Sequence, residues 1–411
     1  MLLGGEEAVR GPFGKWLVVA VCGLTALGCR TGEGGLRPGK PGQVGMSKQR
    51  LNRVRDIVSQ AVEDLEIPGA VVLVARKKRI VLRQAFGDAQ WVPFMRPMEA
   101  SMVFDLASLT KPLATAASIM ILVDQGRISL RERVKDFIPE FQPFLDEEGR
   151  PSDDARIWHL MTHTSGLPAL IEEEEAAAVC GDPCSTQDLA LAIAGLPKTA
   201  PPGETFQYSC LGYITLAAII ERVTGESIAR FAGRHIFEPL GMESTGYVPD
   251  AEMRARSVPT EVVGDRLLTG VVHDPLARLQ GGVSGNAGLF SNADDLAVFA
   301  QMMLGGGVYR GVRILSPLAV LRMTSIDERV RFSGRGLGWD LDSSYSSNGG
   351  DLFGPNSFGH TGYTGTSIWI DPETETFLVL LTNRVHPDDG GNISALRARV
   401  ANVVAGSIIR R

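Results

Sequence analysis

The sequence predicts an α+β fold: one antiparallel sheet formed by N- and C-terminal strands, flanked by helices and interrupted by a large, mainly helical insertion. Two observations support this prediction. Strand-like segments rich in β-branched residues occur near both ends of the chain, at residues 69–85 and 366–382. From about residue 124 to residue 352, helical patterns and irregular loops alternate instead. Strands at both ends with helices between them fit a single sheet built from the two termini.

The N-terminal elements can be assigned one by one. Residues 51–65 carry apolar side chains at helical spacing, which predicts an amphipathic helix. Residues 69–74 and 79–85 are two strand-like runs joined by the basic turn 76–78, and this pattern is typical of a β-hairpin. Residues 113–123 are apolar on every side, which predicts a buried central helix.

The C-terminal half contains a capped helix followed by strands. Ser291 with Asp294 has the spacing of a capping box and predicts the start of a helix that runs to Met303. The remaining predicted elements are a strand at 366–370, a turn at 371–374, a strand at 377–382 and an amphipathic helix at 393–404.

Composition places the chain among ordinary globular proteins. Its 411 residues are 44% hydrophobic and 21% charged, so the chain is long enough for one large domain or two ordinary ones and can bury a sizeable core. The formal net charge is −6 and no basic cluster occurs, so we expect no nucleic-acid partner.

The N-terminus has the pattern of an export signal. Arg10 and Lys15 precede the apolar run 16–28, which is too short to cross a bilayer comfortably. Residues 26–29 resemble a bacterial lipobox that ends in Cys29, although Ala26 stands where leucine is usual. We therefore expect residues 1–28 to be a signal peptide of the lipoprotein type and Cys29 to carry lipid; an ordinary cleaved signal and an uncleaved anchor are the alternatives.

This signal sets the predicted domain boundaries and location. Residues 29–46 are rich in glycine and proline and are predicted to be a flexible linker. Residues 47–411 would then form the folded domain. The expected location is outside the cytoplasm, with the domain held at the membrane by the lipid and facing the periplasm or the cell exterior.

Two cysteines lie close together in the predicted domain. Cys180 and Cys184 flank Gly-Asp-Pro, a spacing that a disulfide can close in an exported protein. Two free thiols in a loop are the equally weighted alternative.

The segment around Ser108 carries the strongest chemical signal. Ser108 precedes Lys111 by three residues at the predicted start of a helix, so both side chains lie on one face. A serine hydroxyl becomes nucleophilic when a neighbouring group takes its proton, and a desolvated amine can help to do that. The helix N-terminus adds positive potential where an acyl oxyanion develops.

Further motifs follow in order along the chain. Tyr208-Ser209-Cys210 lies between a Pro-Pro-Gly turn and a predicted helix, and His360-Thr361-Gly362 begins the C-terminal strands. With Ser108 and Lys111, these motifs resemble those of the serine β-lactamase and penicillin-binding protein superfamily, in its class C β-lactamase-like branch, which also contains DD-peptidases and esterases. The resemblance covers residues 47–409. Supporting stretches occur at 126–130, 160–167, 236–242 and 281–291.

The resemblance implies a role for each motif. Ser108 matches the acylated serine and Lys111 the lysine that keeps its proton mobile. Tyr208 matches the tyrosine that serves as base in acylation and deacylation. The backbone N–H groups of Ser108 and Tyr363 would form the oxyanion hole. Substrate binding would fall to Cys210, His360, Thr361 and Gly362.

Two positions depart from the pattern of the family. Cys210 stands where asparagine is usual, and a thiol is a weak hydrogen-bond donor and acceptor. His360 replaces the usual lysine, as in some esterase and peptidase members, and brings less positive charge to a substrate carboxylate. Both departures argue against an efficient β-lactamase and are compatible with an esterase or a slow peptidase.

Other motifs are weaker. His159 and His163 have the spacing of a zinc helix but lack its glutamate, so we predict no metal site and no cofactor. The dipeptide His273-Asp274 is interpreted either as a structural hydrogen-bonding pair or as a substrate contact.

The function predicted from these observations is an exported serine hydrolase that forms an acyl-enzyme on Ser108 with a small-molecule or peptide substrate. The substrate would be a cell-wall D-amino-acid peptide or a carboxylic ester. The alternative is a non-catalytic or penicillin-binding sensor lipoprotein that retains the fold.

Overall fold

A computed structural model describes residues 34–343 and 348–410. The predicted signal peptide, residues 1–28, and the predicted lipidation site, Cys29, lie outside these residues. The described residues belong to one compact unit.

The strands are β1 (Arg37–Pro38), β2 (Gly69–Arg76), β3 (Arg79–Gln90), β4 (Arg96–Pro97), β5 (Phe104–Asp105), β6 (Gly246–Tyr247), β7 (Val262–Val263), β8 (Arg266–Leu267), β9 (Leu289–Ser291), β10 (Val308–Tyr309), β11 (Val312–Arg313), β12 (Phe358–Thr361), β13 (Ser367–Asp371) and β14 (Thr376–Thr382). Strands β2, β3, β13 and β14 form the body of the main sheet; β7 pairs with β8, β10 pairs with β11, and β5, β9 and β6 form a small separate sheet.

The α-helices are α1 (Lys48–Glu63), α2 (Ala117–Asp124), α3 (Val134–Phe137), α4 (Ile157–Met161), α5 (Glu173–Cys180), α6 (Thr186–Gly195), α7 (Cys210–Thr224), α8 (Ile228–Ala232), α9 (Glu238–Leu240), α10 (Ala251–Ala255), α11 (Pro275–Leu279), α12 (Ala293–Leu304), α13 (Pro317–Met323) and α14 (Ser394–Gly406). The described part of the chain also contains 3₁₀ segments (Pro41–Val44, Ala107–Leu109, Glu328–Ser333) and π-helical segments (Lys111–Ala116, Gly233–Phe237).

The main sheet joins the two ends of the chain, as predicted. Its strand order is β1-β3-β2-β14-β13-β12, with β4 beside β3. The central pairing is antiparallel and runs from Ala70 opposite Thr382 to Arg76 opposite Thr376. Every residue of β2 and of β14 is buried, because helices cover both faces of the sheet. The predicted α+β class and the helical insertion between β5 and β12 are confirmed.

Two hydrophobic layers enclose this sheet. On one face Val72 and Leu380 pack with α1 and α14, the N- and C-terminal helices. On the other face Val71 and Leu381 pack against the helical insertion, whose centre is the segment that follows Ser108. Alternate residues of one strand therefore serve different layers, as the period of a β-strand requires.

The central segment of the insertion is buried as predicted, but its geometry is not uniform. A 3₁₀ turn and a π-helical segment precede α2. The stretch Ala107–Asp124 is long and apolar enough to cross a membrane, yet 83% of it is buried inside the protein, as in a core helix.

The predicted linker over residues 29–46 is wrong in its second half. The Arg37 backbone N–H donates to the Lys78 carbonyl at 3.1 Å, and the Gly39 N–H donates to the Ile80 carbonyl at 2.9 Å. These bonds make β1 a parallel edge strand on β3, and Met46 is buried. The glycine and proline content of this segment predicts flexibility, but its second half forms a strand and a 3₁₀ turn.

Two local predictions meet different outcomes. Helix α12 is capped by Asn292, whose side chain accepts from the Asp295 N–H at 2.9 Å, so the predicted Ser291 cap is wrong by one residue. Cys180 and Cys184 form a disulfide, which decides between the two alternatives left open by their spacing.

Candidate active site

Ser108 lies in a strained turn between β5 and the central helical segment. The preceding residue, Ala107, has φ of 45°, in the left-handed region that residues with a Cβ rarely occupy. The Asp105 carboxylate stabilises this turn by accepting from the Ala107 N–H at 2.8 Å and from the His273 N–H at 2.6 Å. The turn leaves the Ser108 side chain only half-buried in an otherwise buried segment.

Lys111 connects the serine with the rest of the site. Its Nζ donates to Ser108 Oγ at 2.9 Å and to the Asn286 carbonyl at 3.0 Å, and it also hydrogen-bonds the Tyr208 side chain. The lysine side chain is fully buried. These contacts bring together the hydroxyl, the amine and the phenol that the sequence analysis predicted to act as a unit.

The charge state of Lys111 follows from its surroundings. Burial alone lowers the pKa of this amine, but Cys210 and Tyr208 next to it reverse the effect, so that its pKa is raised above the usual value. An amine that stays protonated donates hydrogen bonds and cannot accept the serine proton. In this state Lys111 donates to Ser108 Oγ, and Tyr208 is the other group beside the lysine that has a titratable oxygen.

Tyr208 is held on the segment just before α7. Its ring stacks on the His163 imidazole, with centroids 4.3 Å apart and planes inclined by 28°. Lys111 Nζ lies 5.1 Å from the centroid of the tyrosine ring. The phenol is thus fixed between a flat ring and a cation, a geometry that limits its motion.

His163, one half of the zinc-like spacing, lies under the ring of Tyr208. In the structure its Nδ1 accepts from the Ser209 N–H at 3.0 Å, which fixes the neutral tautomer with the proton on Nε2. Burial, together with the positive charges of Arg335 and Lys111, holds the pKa of His163 well below its usual value. No spacing in the sequence indicated that this histidine would lie under Tyr208.

Cys210 begins α7 and contacts the same lysine. Its Sγ lies 3.5 Å from Lys111 Nζ. The segment is held by Ser209, whose hydroxyl donates to the Pro168 carbonyl at 2.5 Å. The thiol therefore stands in the position predicted from the tyrosine motif.

The His360-Thr361-Gly362 motif ends β12 next to the serine turn. His360 is buried, and its Nδ1 lies 2.8 Å from the Thr361 carbonyl, to which it donates. Its Nε2 has no hydrogen-bond partner in the described parts of the chain. Burial, followed by the positive charges of Arg335 and Lys111, holds the pKa of His360 well below its usual value, so this residue is neutral.

Close backbone packing joins this strand to the nucleophile. Thr364 Oγ1 donates to the Asp105 carbonyl at 2.8 Å, and Thr366 Oγ1 donates to the Leu106 carbonyl at 3.0 Å. A Cβ on Gly362 would lie 2.1 Å from Thr366 Oγ1 and 2.4 Å from the Leu106 carbonyl oxygen. Only glycine fits at this point of contact.

The two predicted oxyanion-hole donors are available. Within residues 34–343 and 348–410, no acceptor is bonded to the backbone N–H of either Ser108 or Tyr363. The Tyr363 side chain is turned outward, where its hydroxyl donates to Asp389 and its ring lies 4.5 Å from the Arg384 guanidinium carbon.

Asp274, the second residue of the His273-Asp274 pair, has a structural role. Asp274 caps α11 by accepting from the Ala277 N–H at 2.8 Å, and its second oxygen accepts from Asn286 Nδ2 at 3.1 Å. Asn286 in turn binds Lys111 through its carbonyl oxygen. This connected set orients the lysine, and the spacing of the residues in the sequence gave no sign of it.

The part of the chain that the structure describes contains no group of three or more His, Cys, Asp or Glu residues arranged to hold a metal ion. His159, the other member of the zinc-like pair, accepts from the Arg156 N–H through its Nδ1 at 2.9 Å, which is a local structural bond.

Comparison with known proteins agrees with this architecture. A family model described as "Beta-lactamase" matches residues 54–402. A protein of Escherichia coli (strain K12) named "Putative D-alanyl-D-alanine carboxypeptidase" is 31% identical over 379 residues, covering 85% of this chain and 86% of its own. The solved structure of "EstCE1, a hydrolase with promiscuous acyltransferase activity" superposes with a TM-score of 0.70 at 24% identity, covering 87% of this chain and 99% of that one. A family VIII carboxylesterase gives a TM-score of 0.65 at 21% identity, covering 91% and 99%.

The sheet is built from strands near both ends of the chain, with a helical insertion between them, and a buried lysine contacts a serine at its edge. These features define a hydrolase of the β-lactamase fold. The chain belongs to the β-lactamase family, which is a family of serine hydrolases. The resemblance stated from the motifs is confirmed.

Proposed function

We propose that this protein is a serine hydrolase that forms an acyl-enzyme on Ser108 and removes the terminal residue of D-alanyl-D-alanine-type peptides. The observation that carries the proposal is the hydrogen bond of 2.9 Å from Lys111 Nζ to Ser108 Oγ, in a site where the same lysine also binds Tyr208. The relative from Escherichia coli supports the peptide as substrate.

The proposed reaction has two half-steps. As Ser108 Oγ attacks the substrate carbonyl carbon, its proton passes to the Tyr208 oxygen and the new oxyanion binds the N–H groups of Ser108 and Tyr363. The C–N bond breaks and the leaving amine takes the proton from Tyr208. Water then attacks the acyl carbon, gives its proton to Tyr208, and the proton returns to Ser108 as the acid product leaves.

An ester is the second candidate substrate, and one specific observation favours it. His360 is neutral, so the strand beside the serine brings no formal charge to a substrate carboxylate. Esters lack that carboxylate and have better leaving groups than amides, so they need less assistance from the residue at position 210. A site of this kind would hydrolyse esters faster than peptides.

Three probes test the proposal: a D-alanyl-D-alanine peptide, p-nitrophenyl butyrate and a fluorescent penicillin. We expect release of D-alanine or of p-nitrophenol by the wild type and none above background by Ser108→Ala, with the labelled serine identified by mass spectrometry. Ser101→Ala changes an exposed serine on the preceding segment and serves as the matched control. Stable penicillin labelling without turnover of either substrate would favour the alternative that the protein is a sensor. Absence of reaction with all three probes would refute the proposed hydrolase activity.

We also propose that the domain is exported and held at a membrane by lipid on Cys29. The signal-like composition of residues 1–28 supports this location, and a disulfide at Cys180–Cys184 suits an oxidising compartment. The test is fractionation of cells that express the full chain or its Cys29→Ala variant. Cys22→Ala, which changes the other cysteine of the segment, is the control. Loss of lipid labelling and of membrane association only in Cys29→Ala is expected; equal behaviour of both variants would refute the anchor.

A further inference from the structure

Arg335 is a buried cation that the reaction proposed above does not use. Its side chain is 2% exposed, and its only ion pair in the described residues is with Asp340, at 3.8 Å between Nη2 and Oδ2. The Nε and Nη1 groups of Arg335 have no hydrogen-bond partner there. Burying a guanidinium with incomplete hydrogen bonding is costly, so its retention in the core calls for another stabilising contact.

The loop that carries Arg335 is fixed firmly beside the active-site strand. Arg335 and Asp340 face each other across a β-bridge, and Asp340 exchanges two backbone hydrogen bonds of 2.9 Å with Gly359, the residue before His360. Gly338 packs so closely on the central helix that a Cβ there would lie 2.5 Å from Ala116. The guanidinium therefore has a defined place relative to the site.

That place is over the catalytic tyrosine. The Arg335 guanidinium carbon lies 5.3 Å from the centroid of the Tyr208 ring and 5.7 Å from the centroid of the Phe206 ring. Both distances fall within the range of cation–π contacts, which strengthen when the cation is desolvated. The cation–π contacts with these rings partly compensate for the hydrogen bonds that the Arg335 guanidinium lacks.

The other groups around Tyr208 determine how much positive charge lies near its phenol oxygen. They come from five different parts of the fold, and burial has made both histidines neutral. Lys111 and Arg335 are then the cations close to the phenol. Among residues 34–343 and 348–410, the titratable groups around it include Lys111, His163, Cys210, Tyr213, Arg335 and His360, with Asp340 paired to Arg335.

We propose that Arg335 is a positioning residue whose buried positive charge stabilises the deprotonated, base-competent form of Tyr208. The inference rests on the proposed function, because it assigns a role within that reaction. A positive charge near a phenol makes the phenolate form less unfavourable than it would be without that charge. Arg335 thus supplies positive charge that neutral His360 does not provide.

The test is the pH dependence of kcat/KM for the faster of the two substrates, measured on the full chain. Removing the cation makes the phenolate less favourable, so the acidic limb of the profile moves to higher pH. We expect Arg335→Met/Asp340→Asn, which removes both charges of the pair, to shift that limb upward by about one pH unit. Activity at pH 7 falls roughly tenfold and recovers at alkaline pH. Arg335→Lys keeps the charge and is expected to restore most of the wild-type profile.

A more exposed ion pair beside another aromatic ring provides a comparison away from the site. Arg329 and Asp327 form an ion pair of 2.5 Å, and the Arg329 guanidinium carbon lies 4.1 Å from the Trp158 ring, away from Tyr208. Arg329→Met/Asp327→Asn should leave the profile unshifted. A uniform loss of activity without a shift of the limb in the Arg335 variant overturns the inference. Absence of Ser108-dependent turnover in the wild type refutes the proposed function itself, so the two failures are distinct.

Discussion

At the scale of single residues, the site is defined by which group holds a proton. Lys111 is a donor to Ser108, and both neighbouring histidines are neutral; in the reaction proposed above, the phenol of Tyr208 accepts the serine proton. The serine, lysine and tyrosine could be predicted from their motifs. His163, Asn286 and Arg335 could not, because each reaches the site through tertiary packing and no local pattern marks it.

Cys210 should limit the activity of the enzyme on amides. An asparagine there can donate to a substrate carbonyl, whereas a thiol does so weakly. We expect Cys210→Asn to raise kcat/KM for the peptide or for a penicillin by about tenfold, equivalent to roughly 1.4 kcal/mol of transition-state stabilisation, and to change ester hydrolysis less. Cys210→Ser, which restores a hydroxyl but not the amide, is the control. An equal change for amide and ester would contradict this role.

The buried histidines make stability depend on pH. Burial lowers the pKa of His159 to about 4, whereas an unfolded histidine binds a proton below about 6.5. The unfolded state therefore takes up more protons in this window, and the free energy of unfolding falls on acidification from about 6.5 to about 4. The slope per histidine is about 1.4 kcal/mol per pH unit.

Urea unfolding at several pH values measures this dependence. We expect His159→Gln to reduce the slope between pH 6.5 and 4, while His235→Gln, at a half-buried surface position, serves as the comparison. An unchanged slope in His159→Gln would show that this imidazole is protonated in the folded protein.

At the scale of elements, the strand that ends in Gly362 and the turn that carries Ser108 must be in direct contact. Because a Cβ at Gly362 would lie 2.4 Å from a backbone oxygen that cannot move independently, Gly362→Ala should destabilise the fold by about 1–3 kcal/mol. It should also lower kcat/KM at least tenfold, since the oxyanion donors are displaced. Gly246→Ala, where nothing lies within 4 Å of the added Cβ, is the matched control. Wild-type activity in Gly362→Ala would refute the required close contact.

The accuracy of the sequence predictions differs among these elements for physical reasons. Helix α1 and the β2–β3 hairpin were predicted because their amphipathic and alternating patterns are set locally. The π-helical geometry of Lys111–Ala116 and the strand β1 were not, because close packing against other segments produces them. The α12 cap was wrong by one residue because serine and asparagine, both good caps, are adjacent there.

At the scale of the whole molecule, the C-terminal helix α14 is coupled to the active site through Arg397. This buried side chain donates from Nη2 to the Gly362 carbonyl at 2.8 Å and to the Thr366 carbonyl at 2.9 Å. It therefore holds the loop that presents the Tyr363 N–H. A helix that closes the opposite layer of the sheet thus also contacts the loop of the proposed oxyanion hole.

Removing this contact should affect both folding and catalysis. Arg397→Met is expected to lower the free energy of unfolding by about 3 kcal/mol, because two buried charge-assisted hydrogen bonds are lost, and to reduce kcat more than KM. Arg399→Met on the same helix changes a half-exposed arginine and should do neither. Thermal unfolding and steady-state kinetics of both variants provide the comparison, and a loss of stability without any loss of kcat would restrict Arg397 to a structural role.

The pairing of β2 with β14 also sets the order of events during synthesis. The two middle strands of the sheet are about 300 positions apart, and Thr382 is the partner of Ala70. A nascent polypeptide that has not yet emerged past this threonine lacks half of its central ladder, however much of the helical insertion is already present. Ser108, the proposed nucleophile, is therefore made long before the strand that completes the sheet beside it, which is present only after Thr382 has been translated.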